Sequence, residues 1–285
     1  METTLHQPDT RLRTGRDNRP PDTARAWLLL LLVPAMIAVN ALANLLPFNG
    51  VTTGEVSARY PTLLTAASWA FNIWTLIYIG LMVLAVYQVT PVGQRNDNLR
   101  AIRAPLIANT ILNATWLWLF HHFRFAESVV VIVLMLGTLV LAYDRLDRRA
   151  PESSSEKWNV RAPLSIYLGW VTVATAVNMA WALAGLGAFE AGPAALIWAS
   201  VAVAATGIVG VVLCWRQGDM PLGLTFLWAL AGIAVGQSEQ PFVFGVTLLA
   251  FGAVMAALIA GRWRGAERRP HQKRPPNPLA PPRTV

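Results

Sequence analysis

A chain of 285 residues that is 55% hydrophobic and only 13% charged, with a mean hydropathy of +0.45, carries too many long apolar runs for a soluble domain and reads as an integral membrane protein. Its net charge of +8 does not point to nucleic acid, because the basic residues lie in short connections and tails rather than on a folded, aromatic-interleaved face. The single cysteine, Cys214, builds no disulfide framework, and the four histidines offer no metal spacing.

The first 25 residues are polar, with Arg11, Arg13, Arg16, Arg19 and Arg25 among Pro, Asp and Thr, and read as a disordered arm. The apolar run that follows is full length rather than a short signal-peptide core, so it is expected to stay as a membrane span. Splitting the chain at its charges leaves eight uncharged stretches: 26–54, 60–94, 104–123, 128–143, 162–189, 191–215, 220–238 and 240–261. Each is read as one spanning helix, which predicts an all-α, polytopic membrane bundle of eight helices. Residues 263–285 are rich in Pro and Arg and read as a second disordered tail near the anionic leaflet.

Charge distribution tests this count. With the N-terminus in the cytoplasm, only Arg59 and Arg124 of the 23 Lys and Arg fall outside, as the positive-inside rule requires. Both termini are therefore expected in the cytoplasm, in a multi-pass protein of the inner or plasma membrane. Trp27, Trp158, Trp215 and Trp263 fall at the cytoplasmic boundaries as belt anchors, and His121 with His122 read as interfacial caps.

The second span, Ala66 to Gln88, is the stretch around which the chain is expected to be organised. At about 100° per residue, Phe71, Trp74, Thr75, Tyr78 and Met82 share a face, with Trp69 and Asn72 on its flank. Asn40 and Asn44 lie four apart on the first span. Asn109, Asn113, Trp116 and Phe120 align on the third, and Tyr167, Trp170, Ala174, Asn178 and Trp181 on the fifth. Alternating helix direction puts Asn40, Asn44, Trp69, Asn72, Trp74, Asn113, Trp116, Asn178 and Trp181 in the outer half, where they could share one uncharged aromatic chamber. Taken one at a time, a membrane Asn is more often an interhelical hydrogen-bond partner, a contact of about 0.6 kcal/mol, than a ligand contact. The outer connection from Phe48 to Thr65 reads equally as a lid or as a plain connector. No Asp, Glu, Lys or Arg lies deep in a span, and no carboxylate pair, metal cluster or activated nucleophile is visible, which argues against ion-coupled transport and against an enzyme. Gly232 with Gly236, and Gly207 with Gly210, supply small-residue spacings for close helix association in the last three spans.

Three of these elements resemble the tryptophan-rich sensory proteins, related to the translocator protein (TspO/MBR) family. Trp69, Phe71, Trp74 and Tyr78 are similar to that family's W-x-F-x(2,3)-W-x-x-[LI]-Y pattern. Leu112, Asn113, Trp116 and Phe120 are similar to L-N-x-x-W-x-x-x-F, and Tyr167, Trp170, Ala174, Val177 and Asn178 to Y-x-x-W-x-x-x-A-x-x-[LV]-N. The resemblance covers roughly Trp27 to Leu183. It implies a five-helix bundle around a pocket for tetrapyrroles such as porphyrin or haem, or for sterol-like ligands, with Trp69, Trp74, Asn113, Trp116, Trp170 and Asn178 in the pocket. It also implies homodimers. The spacing from Phe71 to Trp74 is one residue shorter than in the shorter translocator proteins, and three further helices depart from the five-helix form.

The resulting expectation is a five-helix bundle over 26–188, a three-helix extension over 189–262, and a pocket formed by Trp69, Trp74, Asn113, Trp116, Trp170 and Asn178 with Asn40, Asn44, Asn72, Tyr78 and Trp181. Its partners are the lipid bilayer and a planar hydrophobic ligand, with no nucleic acid. No cofactor is required, and a tetrapyrrole enters only as ligand. The role is sensor or carrier; a small-solute permease using all eight helices is the alternative, and a membrane enzyme acting on tetrapyrroles or lipids is the third.

Overall fold

The computed structural model describes residues 22–46, 48–59, 62–188 and 192–267, so most of the expected disordered arm and tail lies outside the described residues. All long elements are helices: α1 (Thr23–Leu45), α2 (Thr53–Arg59), α3 (Ile73–Val89), α4 (Pro91–Gln94), α5 (Asp97–His121), α6 (Phe125–Asp147), α7 (Ser154–Glu156), α8 (Ala162–Gly185), α9 (Gly192–Gln217), α10 (Met220–Gly236) and α11 (Pro241–Glu267). A 3-10 turn, Ser68–Asn72, leads into α3, and a π-turn, Lys157–Arg161, leads into α8.

Each of the eight uncharged stretches coincides with one long helix, but only six helical segments are long and apolar enough to cross a membrane. The two that fall short do so for different reasons. α10 has 17 residues, or about 25 Å at 1.5 Å per residue, against a hydrocarbon core of about 30 Å. α5 has 25 residues, but its charge-free part after Arg103 carries Asn109, Asn113 and His121, which lower its hydropathy. The protein is a multi-pass integral membrane protein built as an all-α bundle.

Local chemistry explains where the helices begin. Thr90 accepts from the Gly93 amide at 3.0 Å ahead of Pro91, Asn96 from the Leu99 amide at 3.1 Å, and Asp219 from the Leu222 amide at 3.2 Å ahead of Pro221. These are N-caps that satisfy otherwise orphaned donors. Between them the helices alternate direction, which gives the bundle an Arg103 end and a His121 end. Among the described residues only Arg59 and Arg124 carry positive charge at the His121 end.

The central helix is α8, not the second span. Two thirds of its apolar window is buried, against one third in each of the other five candidate spans. It packs against α3, α6, α9 and α10, whereas α3 has α1 and α8 as its main neighbours. The expectation centred on Ala66–Gln88 is corrected here. Uninterrupted hydrophobicity and aromatic content do not distinguish a helix enclosed on all sides from one with a lipid-facing flank, and Leu76, Ile79, Val83 and Val86 of α3 are exposed.

The last three helices do not stand apart. α9 packs along α11, and α10 packs on both α11 and α8. Gly232 and Gly236 of α10 serve a close approach, but their partner is the segment 65–70 that leads into α3 rather than another of the last helices, whereas Gly223 faces Leu258 of α11 and Cys214 of α9. A Cβ on Gly232 would lie 2.5 Å from the Ala70 Cβ, and one on Gly236 would lie 2.5 Å from the Thr65 carbonyl oxygen. The Ala67 amide donates to the Gly232 carbonyl at 2.8 Å across this contact.

The Arg103 end is closed by a buried polar latch. Arg103 is fully buried: Nε donates to Gln88 Oε1 and Nη2 to the Gly93 carbonyl, both at 2.9 Å, and Nη1 donates to the Asp22 carbonyl at 2.9 Å. Glu156 is likewise fully buried and accepts from Asn96 (3.0 Å), Asn98 (3.1 Å) and Arg161 (2.9 Å). Two of the basic residues read simply as topology markers therefore also hold the connections in place.

Candidate functional site

The aromatic stripes of α3, α5 and α8 converge. Trp74 is the hub: its ring stacks on Tyr78 (centroids 5.4 Å) and Trp116 (6.3 Å), and meets Tyr167 (6.1 Å) and Trp170 (6.2 Å) edge-on. Trp116 stacks on Phe120 at 5.3 Å, and Phe120 tilts against Trp181 at 5.0 Å. Phe71 meets Trp170 edge-on at 6.0 Å. Offset and edge geometries of this kind each contribute about 0.5–1.5 kcal/mol beyond burial.

The cluster is not packed solid. A cavity of about 40 Å³ remains inside it, lined by Trp74, Trp116, Trp170, Trp181, Phe71, Phe120, Val173, Ala174 and Val177, with Thr53 and Ala66 from the outer connection and Ala229 and Ile233 from α10. Apart from the Thr53 hydroxyl, the polar atoms that its lining side chains bring are indole N–H groups. Trp116 Nε1 is committed, donating to Asn178 Oδ1 at 2.8 Å. Trp170 and Trp181 are each 4% exposed, and neither indole N–H has a hydrogen-bond partner among the described residues. Such orphans are uncommon in native interiors and call for an acceptor.

The amides stand behind this wall rather than in it. Tyr78 Oη donates to Asn40 Oδ1 (2.7 Å), Asn40 Nδ2 to Asn113 Oδ1 (3.0 Å), and Asn113 Nδ2 to the Tyr167 hydroxyl (2.9 Å), which joins α3, α1, α5 and α8 in one chain. A second chain runs from Trp116 to Asn178, whose Nδ2 donates to Ser128 Oγ at 2.9 Å on α6. Asn109 also bonds across helices, donating to the Met135 carbonyl at 3.1 Å. Of the two readings open for each Asn, the interhelical hydrogen bond describes Asn40, Asn109, Asn113 and Asn178.

Of the eleven residues predicted for the pocket, Trp74, Trp116, Trp170 and Trp181 line the cavity; Asn40, Tyr78, Asn113 and Asn178 form the networks behind it. Trp69, Asn72 and Asn44 stand outside. Trp69 and Asn72 belong to the 3-10 turn, where successive residues turn by about 120° rather than 100°, so the helical projection that placed them was wrong. Asn72 is exposed, and Trp69 stands edge-on to Trp228 of α10 at 4.8 Å. Asn44, in the last turn of α1, is exposed and donates back to the Asn40 carbonyl at 3.0 Å.

Two contributions were missed. Ala229 and Ile233 come from the supposed packing appendage, and their apolar side chains carry no signal that separates a cavity wall from ordinary core. Thr53 comes from the outer connection, which is fastened over the cluster. His121 is fully buried rather than a solvated cap. Its Nδ1 donates to the Val51 carbonyl at 3.0 Å, its Nε2 lies 3.0 Å from the Thr53 hydroxyl, and its own carbonyl accepts from Asn49 at 3.2 Å. The adjacent His122 does stack on the exposed Trp118 at 4.3 Å.

A second and larger cavity of about 660 Å³ lies at the His121 end between residues 62–67, the last turns of α8, the first turns of α9 and the end of α10. Ala66 lines both cavities. No group of three or more His, Cys, Asp or Glu that could hold a metal ion occurs among the described residues.

Comparison with known proteins gives one family. The family model described as TSPO-like protein matches residues 26–260, from the first turn of α1 into the last turns of α11. Neither the curated proteins nor the solved structures contain a match. The matched length includes α9–α11, which the motif resemblance had left outside, and the buried aromatic cluster is of the kind that holds a hydrophobic ligand. The chain belongs to the TSPO-like protein family.

Proposed function

We propose that this membrane protein binds a planar hydrophobic ligand, of tetrapyrrole or sterol-like type, between the rings of α3, α5 and α8, and acts as a sensor or carrier without chemical turnover. The observation that carries this reading is the pair of buried, partnerless indole N–H groups of Trp170 and Trp181 on an otherwise apolar aromatic cavity. A ligand with ring faces and peripheral acceptors satisfies both features at once. Sites for such molecules span roughly 300–1,000 Å³, so the 40 Å³ cavity is the closed form, and binding requires Trp74 and Phe71 to part from Trp116 and Trp170. The lid fastened by His121 and the 3-10 turn are the elements that would move.

The membrane arrangement proposed with it has eight crossings. α1, α3, α5, α6 and α8 form the ligand-binding bundle of 26–188, and α9–α11 extend it over 189–262. α5 crosses with its charged first turns in the headgroup region, and the short α10 crosses where its neighbours bridge the difference in length. The Arg103 end faces the cytoplasm, because nearly all the positive charge is there.

Titration of the purified chain with protoporphyrin, followed by quenching of tryptophan emission, tests the ligand reading. Saturable quenching is expected, and Ala174→Phe, which fills the cavity from the centre of α8, removes it while helicity is retained. Quenching that does not saturate, or that survives Ala174→Phe, refutes the reading.

A further inference from the structure

The 660 Å³ chamber has a composition of its own. Seven of its sixteen described lining residues are alanine, from the 66–67 segment, α8 and its end, and α9, and the only ionisable one among them is Arg59. Small side chains on facing surfaces leave space that larger ones would fill, and that space is open to an apolar guest. The wall is hydrogen-bonded into place: Gln237 Nε2 donates to the Thr65 carbonyl at 2.8 Å, and the Thr62 and Thr65 hydroxyls lie 3.1 Å apart. Its principal polar groups are thus used internally, and the interior offers dispersion contacts, with one positive charge at its exposed rim.

Among the described residues that charge is uncompensated. Arg124, the other cation at this end, is paired with Glu127. Arg59 pairs with no carboxylate among the described residues, and its guanidinium carbon lies 5.0 Å from the centroid of the Phe123 ring. A cation held against an aromatic face keeps its outward donors free for an oxyanion.

We infer that this chamber is a second binding site, separate from the aromatic cavity, for an amphiphile with an apolar chain and an anionic head. The chain lies against the alanine wall with Leu63 and Leu183, and the head meets Arg59. The volume lies within the range of small-molecule sites, and a guanidinium recognises carboxylate and phosphate oxygens alike. A free fatty acid and an anionic phospholipid are therefore two sources of the same chemistry. Because Ala66 lines both cavities, the seated chain ends beside the aromatic cluster.

The test is binding of oleate, oleyl alcohol and oleylamine to the full chain in phosphatidylcholine nanodiscs, with empty nanodiscs subtracted. Saturable oleate binding is expected, with alcohol and amine at least tenfold weaker, and Arg59→Gln lowers oleate to the level of the alcohol. Shorter fatty acids bind roughly fourfold more weakly per methylene removed, the equivalent of ~0.8 kcal/mol per buried CH₂. Ala195→Phe, which fills the chamber, abolishes binding, and Ala184→Met serves where the first variant does not fold. Equal binding of the three heads, an unchanged Arg59→Gln, or binding that survives the filling variants overturns the inference. Repeating the titration in phosphatidylglycerol nanodiscs separates the sources: competition with oleate identifies the phospholipid, and unchanged oleate binding identifies the free acid. Protoporphyrin quenching is measured on the same variants and is expected to stay at the wild-type level, so the two sites stand or fall separately.

Discussion

Trp116 and Asn178, both predicted as ligand contacts, are partners of each other: the indole N–H donates to the amide oxygen at 2.8 Å, deep between α5 and α8. The same amide donates to Ser128 on α6, so one buried side chain ties three helices.

Asn178→Leu strands the Trp116 indole donor and takes away the amide donor to Ser128 Oγ, whose own proton stays on the Phe125 carbonyl, and is expected to lower stability by about 1–3 kcal/mol, the penalty for buried groups left unsatisfied. Thermal unfolding in detergent reads the loss. In a double-mutant cycle, Trp116→Phe with Asn178→Leu should recover part of it, because no donor then remains without an acceptor. Strictly additive losses would mean that the hydrogen bond contributes nothing.

Arg103 presents a rigid fork to Gln88, Gly93 and Asp22. Arg103→Ala is expected to cost about 3–5 kcal/mol, as for a broken buried ionic contact, and Arg103→Lys should not rescue it, because an ammonium group lacks the planar donor set. Hydrogen exchange at the backbone of residues 91–95 should rise sharply in both variants. Protection equal to wild type in Arg103→Lys would show that charge alone suffices.

Gly232 and Gly252 make a matched pair of helical glycines. A Cβ at Gly232 meets Ala70 at 2.5 Å, whereas one at Gly252 meets nothing within 4 Å. Gly232→Ala should destabilise by about 1–3 kcal/mol through overpacking and displace the 3-10 turn, while Gly252→Ala should change stability by no more than about 1 kcal/mol. Unfolding midpoints of the two variants give the comparison, and equal midpoints would remove the close-packing account of α10.

His121→Ala removes both ring contacts of the outer connection, at Val51 and Thr53. Limited proteolysis within 48–59 should accelerate, and association and release of a bound probe should both become faster if this segment is the lid. Unchanged cleavage would make it a passive connector. Of the two readings open from the sequence, Thr53 on the cavity wall favours the lid.

Much of the fold is legible in the chain because lipid imposes a simple code. A helix is the one regular structure that satisfies its own backbone in hydrocarbon, so each uncharged stretch becomes a helix, and the positive charges gather at one end. The meeting of Trp74, Trp116 and Trp181 was likewise visible in 3.6-residue periodicity combined with alternating helix direction, and Trp170 joined them through the motif resemblance. Periodicity failed where its assumption failed: Ser68–Asn72 winds as a 3-10 turn, and Trp69 and Asn72 leave the flank assigned to them.

What remained for tertiary structure was the choice among equivalent partners. An asparagine in a membrane helix must find a partner, but nothing local says whether it is another helix or a guest; Asn40, Asn113 and Asn178 found helices. Alanines on α8 and α9 read as ordinary apolar residues until their placement leaves a chamber between them, and Arg59 reads as a stray outer charge until it stands at that chamber. Local sequence determines the backbone state and the polarity of each face, because both are properties of a few adjacent residues. The space left between faces depends on residues more than a hundred positions apart, and only the packed bundle decides it.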